Sequence, residues 1–181
     1  MAQEDPNRAG NGSDTEANQP QAATLAQYIK DLSVESPSAP QVFQWQDQPS
    51  VEVNFNLAVD PVNEEVREVA MKMEVRAQSQ NGVHFIVDLT FAGLFGVRNF
   101  PDEALPPFLL VEAPRLLFPF ARQIICESIQ NMGFPPLLLD PIDFGAAFMA
   151  QMEALQQQQA QSGESGEAPA DATADEGSGE A

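Results

Sequence analysis

The chain has 181 residues, and its 27 Asp and Glu residues against 8 Lys and Arg give a formal net charge of −19. Such a chain is repelled by nucleic-acid phosphates and by anionic lipid head groups, so we expect direct binding to neither. Hydrophobic residues make up 43%, close to the share in globular proteins, which excludes disorder along the whole chain.

The two ends differ in composition from the middle of the chain. Residues 1–22 carry four acids and one base, and residues 160–181 carry six acids and no base. Apart from Met1, neither end has the large apolar residues that offset the entropy lost on folding. We therefore predict a disordered N-terminal tail (1–22), a folded domain (23–159) and a disordered acidic C-terminal tail (160–181). For the acidic tail a solubilising role is favoured, with partner binding as the alternative.

Neither a secretory signal nor a membrane span is predicted. The N-terminus lacks a basic stretch followed by an apolar run, and the longest strongly apolar stretch, 116–121, has six residues. The single cysteine, Cys126, cannot form an internal disulfide, which suits a reducing compartment. We expect a cytoplasmic protein.

Alternation of apolar and polar residues predicts the sheet. The first of four strands is predicted at 28–35. In it Leu32 and Val34 face the core, and Ile29 lies on the polar face. The following proline-containing stretch, 36–50, is predicted to be a long loop, which allows this strand to lie away from its sequence neighbour. Three longer alternating segments indicate antiparallel strands with one covered face, joined as a meander by turns at 60–63 and 79–82. They span 51–59, 68–78 and 83–91.

Two helices are predicted to follow, at 115–132 and 144–159. Gly133 is a natural stop for the first, and Pro119 should kink it or mark its first turn. Apolar residues cover most of the girth of this long helix, which predicts burial on more than one side. The fold class is therefore α+β, a four-stranded antiparallel sheet with both helices on one face. Because one sheet covers one side of a helix, we expect an oligomer.

No catalytic constellation is recognisable. The single histidine, His84, is predicted on the polar face of its strand, about 13 Å along it from Asp88 and too far for a hydrogen bond. Cys126 lies in an apolar helix, where a structural role is favoured. The sequence has neither a phosphate-binding glycine loop nor a Cys/His cluster for zinc. We predict that the chain is not an enzyme and needs no cofactor or metal.

The segment 91–120 mixes Phe, Leu and Pro densely. Ordinary core is the favoured interpretation, and a groove lined by flexible apolar side chains is the alternative.

Several blocks of the sequence resemble the SecB family of bacterial protein-export chaperones, in register from about residue 26 to 159. They are YIKDLSVESPSAP at 28–40, LFPFAR at 117–122, GFPP at 133–136 and PIDF at 141–144. The resemblance implies a cytoplasmic homotetramer, a dimer of dimers with its helices between two sheets. It also implies a chaperone that holds unfolded precursor proteins and delivers them to the SecA translocase ATPase, without nucleotide or metal of its own.

The resemblance further implies two binding sites. A basic, zinc-bound segment of SecA would dock on the outward sheet face, at positions that correspond to Asp31, Glu35, Ile86 and Asp88. Strand parity places all four on that face, although each acid alone would be an ordinary solvated charge.

Trp45 is shifted relative to the aromatic that the family usually carries before the second strand. The candidate client contacts are Phe43, Trp45, Phe118, Phe148 and Met152.

Two other functions remain as alternatives to the export chaperone. An adaptor of the same fold that binds one fixed partner is the main alternative, and an uncharacterised hydrolase is the other.

Overall fold

A computed structural model describes residues 19–164, and the side chains of residues 19–157. It contains one four-stranded antiparallel sheet with the order β1-β4-β3-β2. The predicted meander of the last three strands is confirmed, and the first strand crosses over to pair with β4. The strands are β1 (Gln21–Glu35), β2 (Ser50–Pro61), β3 (Val66–Ser79) and β4 (Gly82–Arg98).

Strand β1 is longer and less regular than its sequence suggests. Its register against β4 shifts between Thr24 and Ala26, and again between Ile29 and Asp31. The second shift places Ile29 opposite Phe91, on the same side of the sheet as Leu32. The prediction that Ile29 shares the polar parity was therefore wrong, because the bulge inserts one residue into the alternation.

Strand β4 continues past its predicted end at residue 91 and passes beneath the long helix. A Cβ added at Gly93 would lie 2.8 Å from Leu117 Cδ2 and 2.9 Å from Phe95 Cε2. A side chain at position 93 would therefore collide with the helix, and the glycine permits this close approach.

The long helix begins earlier than predicted. A short turn, Leu105–Pro107, and a π-helical segment, Phe108–Glu112, lead into helix α1, Ala113–Asn131. Pro119 lies inside α1, so the alternative in which it marks the first turn is wrong. The predicted stop at Gly133 is confirmed.

Gly133 has a φ of 91°, and its backbone N–H donates to the carbonyl oxygen of Gln130 at 2.9 Å. The N–H of Phe134 donates to the carbonyl of Ile129 at 3.3 Å, which completes a Schellman motif.

Helix α1 packs across β3 and β4 on one face of the sheet. The segment 91–120 contributes mainly to this core, as the favoured interpretation predicted. Leu116 and Phe120 of α1 are each 49% exposed, so a single chain leaves part of this apolar helix uncovered. The buried cluster includes Val69, Met71, Met73, Val75, Phe85, Val87, Leu89, Phe91, Phe95, Leu117, Phe118, Ala121, Ile125 and Ile129.

The C-terminal helix, α2, spans Phe144–Glu164. The chain divides into two compact units after residue 144, and α2 lies in the second unit from its second residue onward, so the packing of α2 on the sheet stays a prediction. Most of the two predicted tails, residues 1–18 and 165–181, lies outside the described residues. Of the helices in the described part of the chain, none combines the length and apolar composition needed to cross a membrane.

Candidate functional site

The outer sheet face, which is the face opposite α1, brings the four predicted docking residues together. Glu35 pairs with Ile86 across β1 and β4, Ser33 pairs with Asp88, and Asp31 pairs with Thr90. Directly opposite residues of an antiparallel pair project to the same side of the sheet. The four side chains therefore occupy neighbouring positions on one surface.

This surface is acidic and accessible. The side chains of Asp31 and Glu35 are exposed, whereas Ile86 and Asp88 are half-buried. Among the described residues, neither Asp31 nor Asp88 forms a close ion pair, and the Glu35 carboxylate accepts a hydrogen bond from the Ser33 hydroxyl at 3.2 Å. These carboxylates therefore remain available to a cationic partner.

Strand β3 adds a fourth acid that the sequence analysis did not single out. Glu74 lies directly opposite Asp88. The sequence could have indicated this position, because the alternation of β3 places Glu74 on the outer face and the hairpin register pairs Glu74 with Asp88. We define the acidic surface as Asp31, Glu35, Glu74 and Asp88, with Ile86 between them.

Lys72 is a cation inside this surface. Its Nζ lies 2.7 Å from Glu74 Oε1, and it faces Thr90, the cross-strand partner of Asp31. The hydrogen bond to Glu74 raises the pKa of the Lys72 ammonium above its ordinary value, and the charges of Glu74, Asp88 and Asp31 raise it further.

A separate polar network ties β1 to β3 across β4. The Tyr28 hydroxyl donates to the carboxylate of Glu68, and Lys30 Nζ lies 2.6 Å from Glu68 Oε2. The hydrogen bonds from Lys30 and Tyr28 hold the pKa of Glu68 below its ordinary value. The hydrogen bond from Tyr28 to Glu68 raises the pKa of the Tyr28 hydroxyl to about 12, since a phenolate could not donate this bond. Because both donors already engage Glu68, this carboxylate is not part of the acidic surface.

The long loop carries a cluster of aromatic side chains. Phe43 lies in a short 3-10 helix, Gln41–Gln44, and stacks on Phe134 with ring centroids 5.4 Å apart. Phe43 remains 55% exposed, whereas Trp45 is half-buried and meets the His84 ring edge-on at 5.1 Å. Trp45 therefore anchors the loop, and Phe43 presents an apolar surface to solvent.

The predicted water-facing position of His84 was wrong. Its side chain is only 6% exposed, and its Nε2 lies 3.0 Å from the Ser79 hydroxyl. The register of β3 against β4 skips His84, since Ala77 pairs with Phe85 and Gln78 with Val83, so a bulge interrupts the alternation here. The rings of Trp45 and Phe134, from distant parts of the chain, approach that of His84, which strand parity alone could not indicate.

Phe118 is buried within the chain and contacts Phe144, with ring centroids 6.1 Å apart. It also lines a cavity of about 590 Å³ beside α1, which Arg122 and Cys126 border. Cys126 lies in α1, as predicted, and is half-buried at this cavity.

Phe148 and Met152 lie on α2, in the second unit, where Phe148 is half-buried and Met152 is exposed.

Strand β2 exposes apolar side chains that the sequence analysis assigned to the covered face. Val51, Val53 and Phe55 point to the α1 side of the sheet but are 39–40% exposed. The alternation gave their direction correctly, but it could not show how far α1 extends over the sheet. They form an apolar strip, defined here as these three residues.

No group of three or more His, Cys, Asp or Glu residues within the described ranges could hold a metal ion. The described chain is an α+β fold that presents a charged face and separate exposed apolar side chains. The family model described as preprotein translocase subunit SecB matches residues 15–155. The chain belongs to the SecB family of protein-export chaperones.

Individual relatives agree with this assignment. The protein-export protein SecB of Erythrobacter litoralis is 48% identical over 166 residues, which cover 92% of this chain and 91% of the relative. That of Zymomonas mobilis is 52% identical over 134 residues, which cover 74% and 82%. These matches confirm the resemblance, and because SecB is a chaperone family they also confirm that the chain is not an enzyme.

Among solved structures, the fold is similar to a Mycobacterium tuberculosis SecB-like chaperone in complex with a ChAD peptide from the HigA1 antitoxin. The TM-score is 0.56 at 20% sequence identity, and the match covers 67% of this chain and 90% of that chain. This likeness shows the fold alone.

Proposed function

We propose that the protein is a cytoplasmic homotetrameric chaperone that binds unfolded precursor proteins, keeps them competent for translocation and delivers them to the SecA ATPase. The observation that carries the delivery step is the register of β1 against β4, which sets Asp31, Glu35, Ile86 and Asp88 side by side. Family membership supports the export role.

Docking on the acidic surface is an electrostatic step. A basic segment is drawn to the carboxylates of Asp31 and Asp88, which no cation of the described chain neutralises in a close pair. Ile86 offers a half-buried apolar contact between them. Such a contact sets the register of the bound segment, while the charges accelerate the encounter.

Clients are held by apolar contacts. Phe43 and the apolar strip are exposed on the chain. Many weak contacts along an extended client give useful affinity without sequence specificity. The M. tuberculosis SecB-like chaperone of similar fold is in complex with a peptide, which supports the proposal that this fold accepts peptide segments.

Assembly as a dimer of dimers would cover the remaining apolar surface. Leu116 and Phe120 of α1 are half-exposed, and Ile29, Leu32 and Val34 are exposed on the edge strand β1. An open edge and an uncovered apolar helix side are the features that a second copy buries.

The test of delivery is charge reversal on the acidic surface. We expect Asp31→Lys with Asp88→Lys to abolish SecA binding, measured by calorimetry at low salt, because the basic segment would meet two cations. Light scattering should show an unchanged tetramer, and suppression of aggregation of several unrelated unfolded proteins, without nucleotide, should persist. Unchanged SecA affinity would contradict the docking assignment. Binding of one folded partner, without suppression of aggregation, would favour the adaptor.

A further inference from the structure

Lys72 occupies an unusual position for a residue on a surface that attracts cations. It pairs with Glu74 at 2.7 Å and is held in the field of Asp31 and Asp88. Two further cations lie near this surface and are engaged elsewhere: the Nε of Arg76, opposite Ile86, donates to Gln78, and the Lys30 ammonium pairs with Glu68. The Lys72 ammonium, by contrast, lies among three acids of the surface, Glu74, Asp31 and Asp88.

This ion pair contributes little to folding. The side chains of Lys72 and Glu74 are 53% and 47% exposed, and exposed pairs of this kind have small effects on stability. The pair does, however, remove one carboxylate from the acidic surface and place a positive charge beside two others. Its main consequence is therefore for what binds there.

We propose that Lys72 determines the affinity of the acidic surface for its basic partner by acting as an internal competitor. This inference rests on the proposed docking function. The ammonium of Lys72 occupies the place that a lysine or arginine of the partner would take beside Glu74. The bound segment must displace Lys72 from this carboxylate, so the surface retains strongly basic segments and releases weakly basic ones.

The experiment measures the affinity of a fluorescent lysine-rich peptide for the full-length protein by anisotropy. We expect Lys72→Gln to bind the peptide about two- to five-fold more tightly at low salt, the scale of one exposed charge pair. The gain should disappear at about 1 M salt, where the screening length falls to about 3 Å. Lys72→Arg should bind like the unmodified protein, since it keeps the charge.

Arg98→Gln is the matched control. It removes the same charge and frees Glu65 from an exposed pair at 3.0 Å, but it lies at the far end of β4, about 26 Å along the strand from Thr90. An equal gain in Arg98→Gln would overturn the proposal, because net charge alone would then explain the effect. Weaker binding by Lys72→Gln would overturn it too, by showing that Lys72 contacts the partner favourably.

Asp31→Asn with Asp88→Asn separates this inference from the proposed function. If that double variant binds the peptide as well as the unmodified chain, the docking surface is wrong and the role of Lys72 falls with it. If the double variant loses affinity while Lys72→Gln gains none, only the role of Lys72 is wrong.

Discussion

On the side of the sheet that α1 covers, β3 and β4 present side chains without any solvent exposure, among them Met71, Met73 and Leu89. On the outer face, the same two strands present exposed Lys72 and Glu74 and half-buried Asp88. The covered face stabilises the chain, and the outer face contributes little to its stability. The exposed residues of the outer face can therefore change their charge with little effect on the fold, which suits the binding role proposed for this face.

The largest expected difference between the two faces is in the response to losing a leucine side chain. Leu117 on α1 is completely buried against the sheet, so Leu117→Ala should lower the free energy of unfolding by about 3 kcal/mol. Leu25 on the outer face is 57% exposed and lies over Gly96, so Leu25→Ala should cost less than about 1 kcal/mol.

Urea unfolding at one fixed protein concentration, followed by circular dichroism, compares the two leucine variants, since assembly makes stability depend on concentration. Similar losses in both would contradict the assignment of Leu117 to the covered core and Leu25 to the outer face.

Two glycines of β4 sharpen the comparison, because a Cβ at each would point to a different face. At Gly93 the new methyl would lie 2.8 Å from Leu117 Cδ2, and at Gly96 its nearest neighbour would be Leu25 Cδ2 at 3.5 Å. We expect Gly93→Ala to cost about 1–3 kcal/mol through overpacking, and Gly96→Ala to be close to neutral. Thermal unfolding of the pair is the measurement. A larger loss for Gly96→Ala would mean that the helix does not approach β4 at residue 93.

The sheet was largely predictable from sequence because long alternation reports directly on one covered face. The alternation correctly predicted that Val69 and Met71 face the covered side of the sheet and that Asp88 faces the outer side. It failed at Ile29, because a bulge is decided by pairing with β4 and leaves no mark in the polarity of the strand itself.

The sequence indicated which charged residues lie at the candidate site, but not which side chains surround or pair with them. Parity and the family resemblance led to Asp31 and Asp88. The burial of His84 beneath Trp45 and the pairing of Lys72 with Glu74 depend on side-chain positions, which a pattern of residue types does not specify.

The smallest expected effect concerns Glu68, an acid of the outer face that is already engaged by two donors. Its side chain is 12% exposed, and the hydrogen bonds from Lys30 and Tyr28 lower its pKa below the ordinary value of 4.5. A lowered pKa in the folded state means that the stabilisation is present above the unfolded pKa and is lost as the pH falls towards the folded pKa. We expect Glu68→Gln to cost about 1 kcal/mol at neutral pH, and this difference from the unmodified protein should shrink as the pH falls below 4.5.

Urea unfolding of both proteins between neutral and acidic pH measures this difference directly. Glu74→Gln is the matched control, since the Glu74 carboxylate is half-exposed and forms an exposed pair with Lys72, so the effect on stability should stay close to zero throughout. A Glu68→Gln loss that stays constant with pH would show that Glu68 acts through packing rather than charge. In that case the acids of the outer face would not divide into one that stabilises the sheet and others that are available for binding.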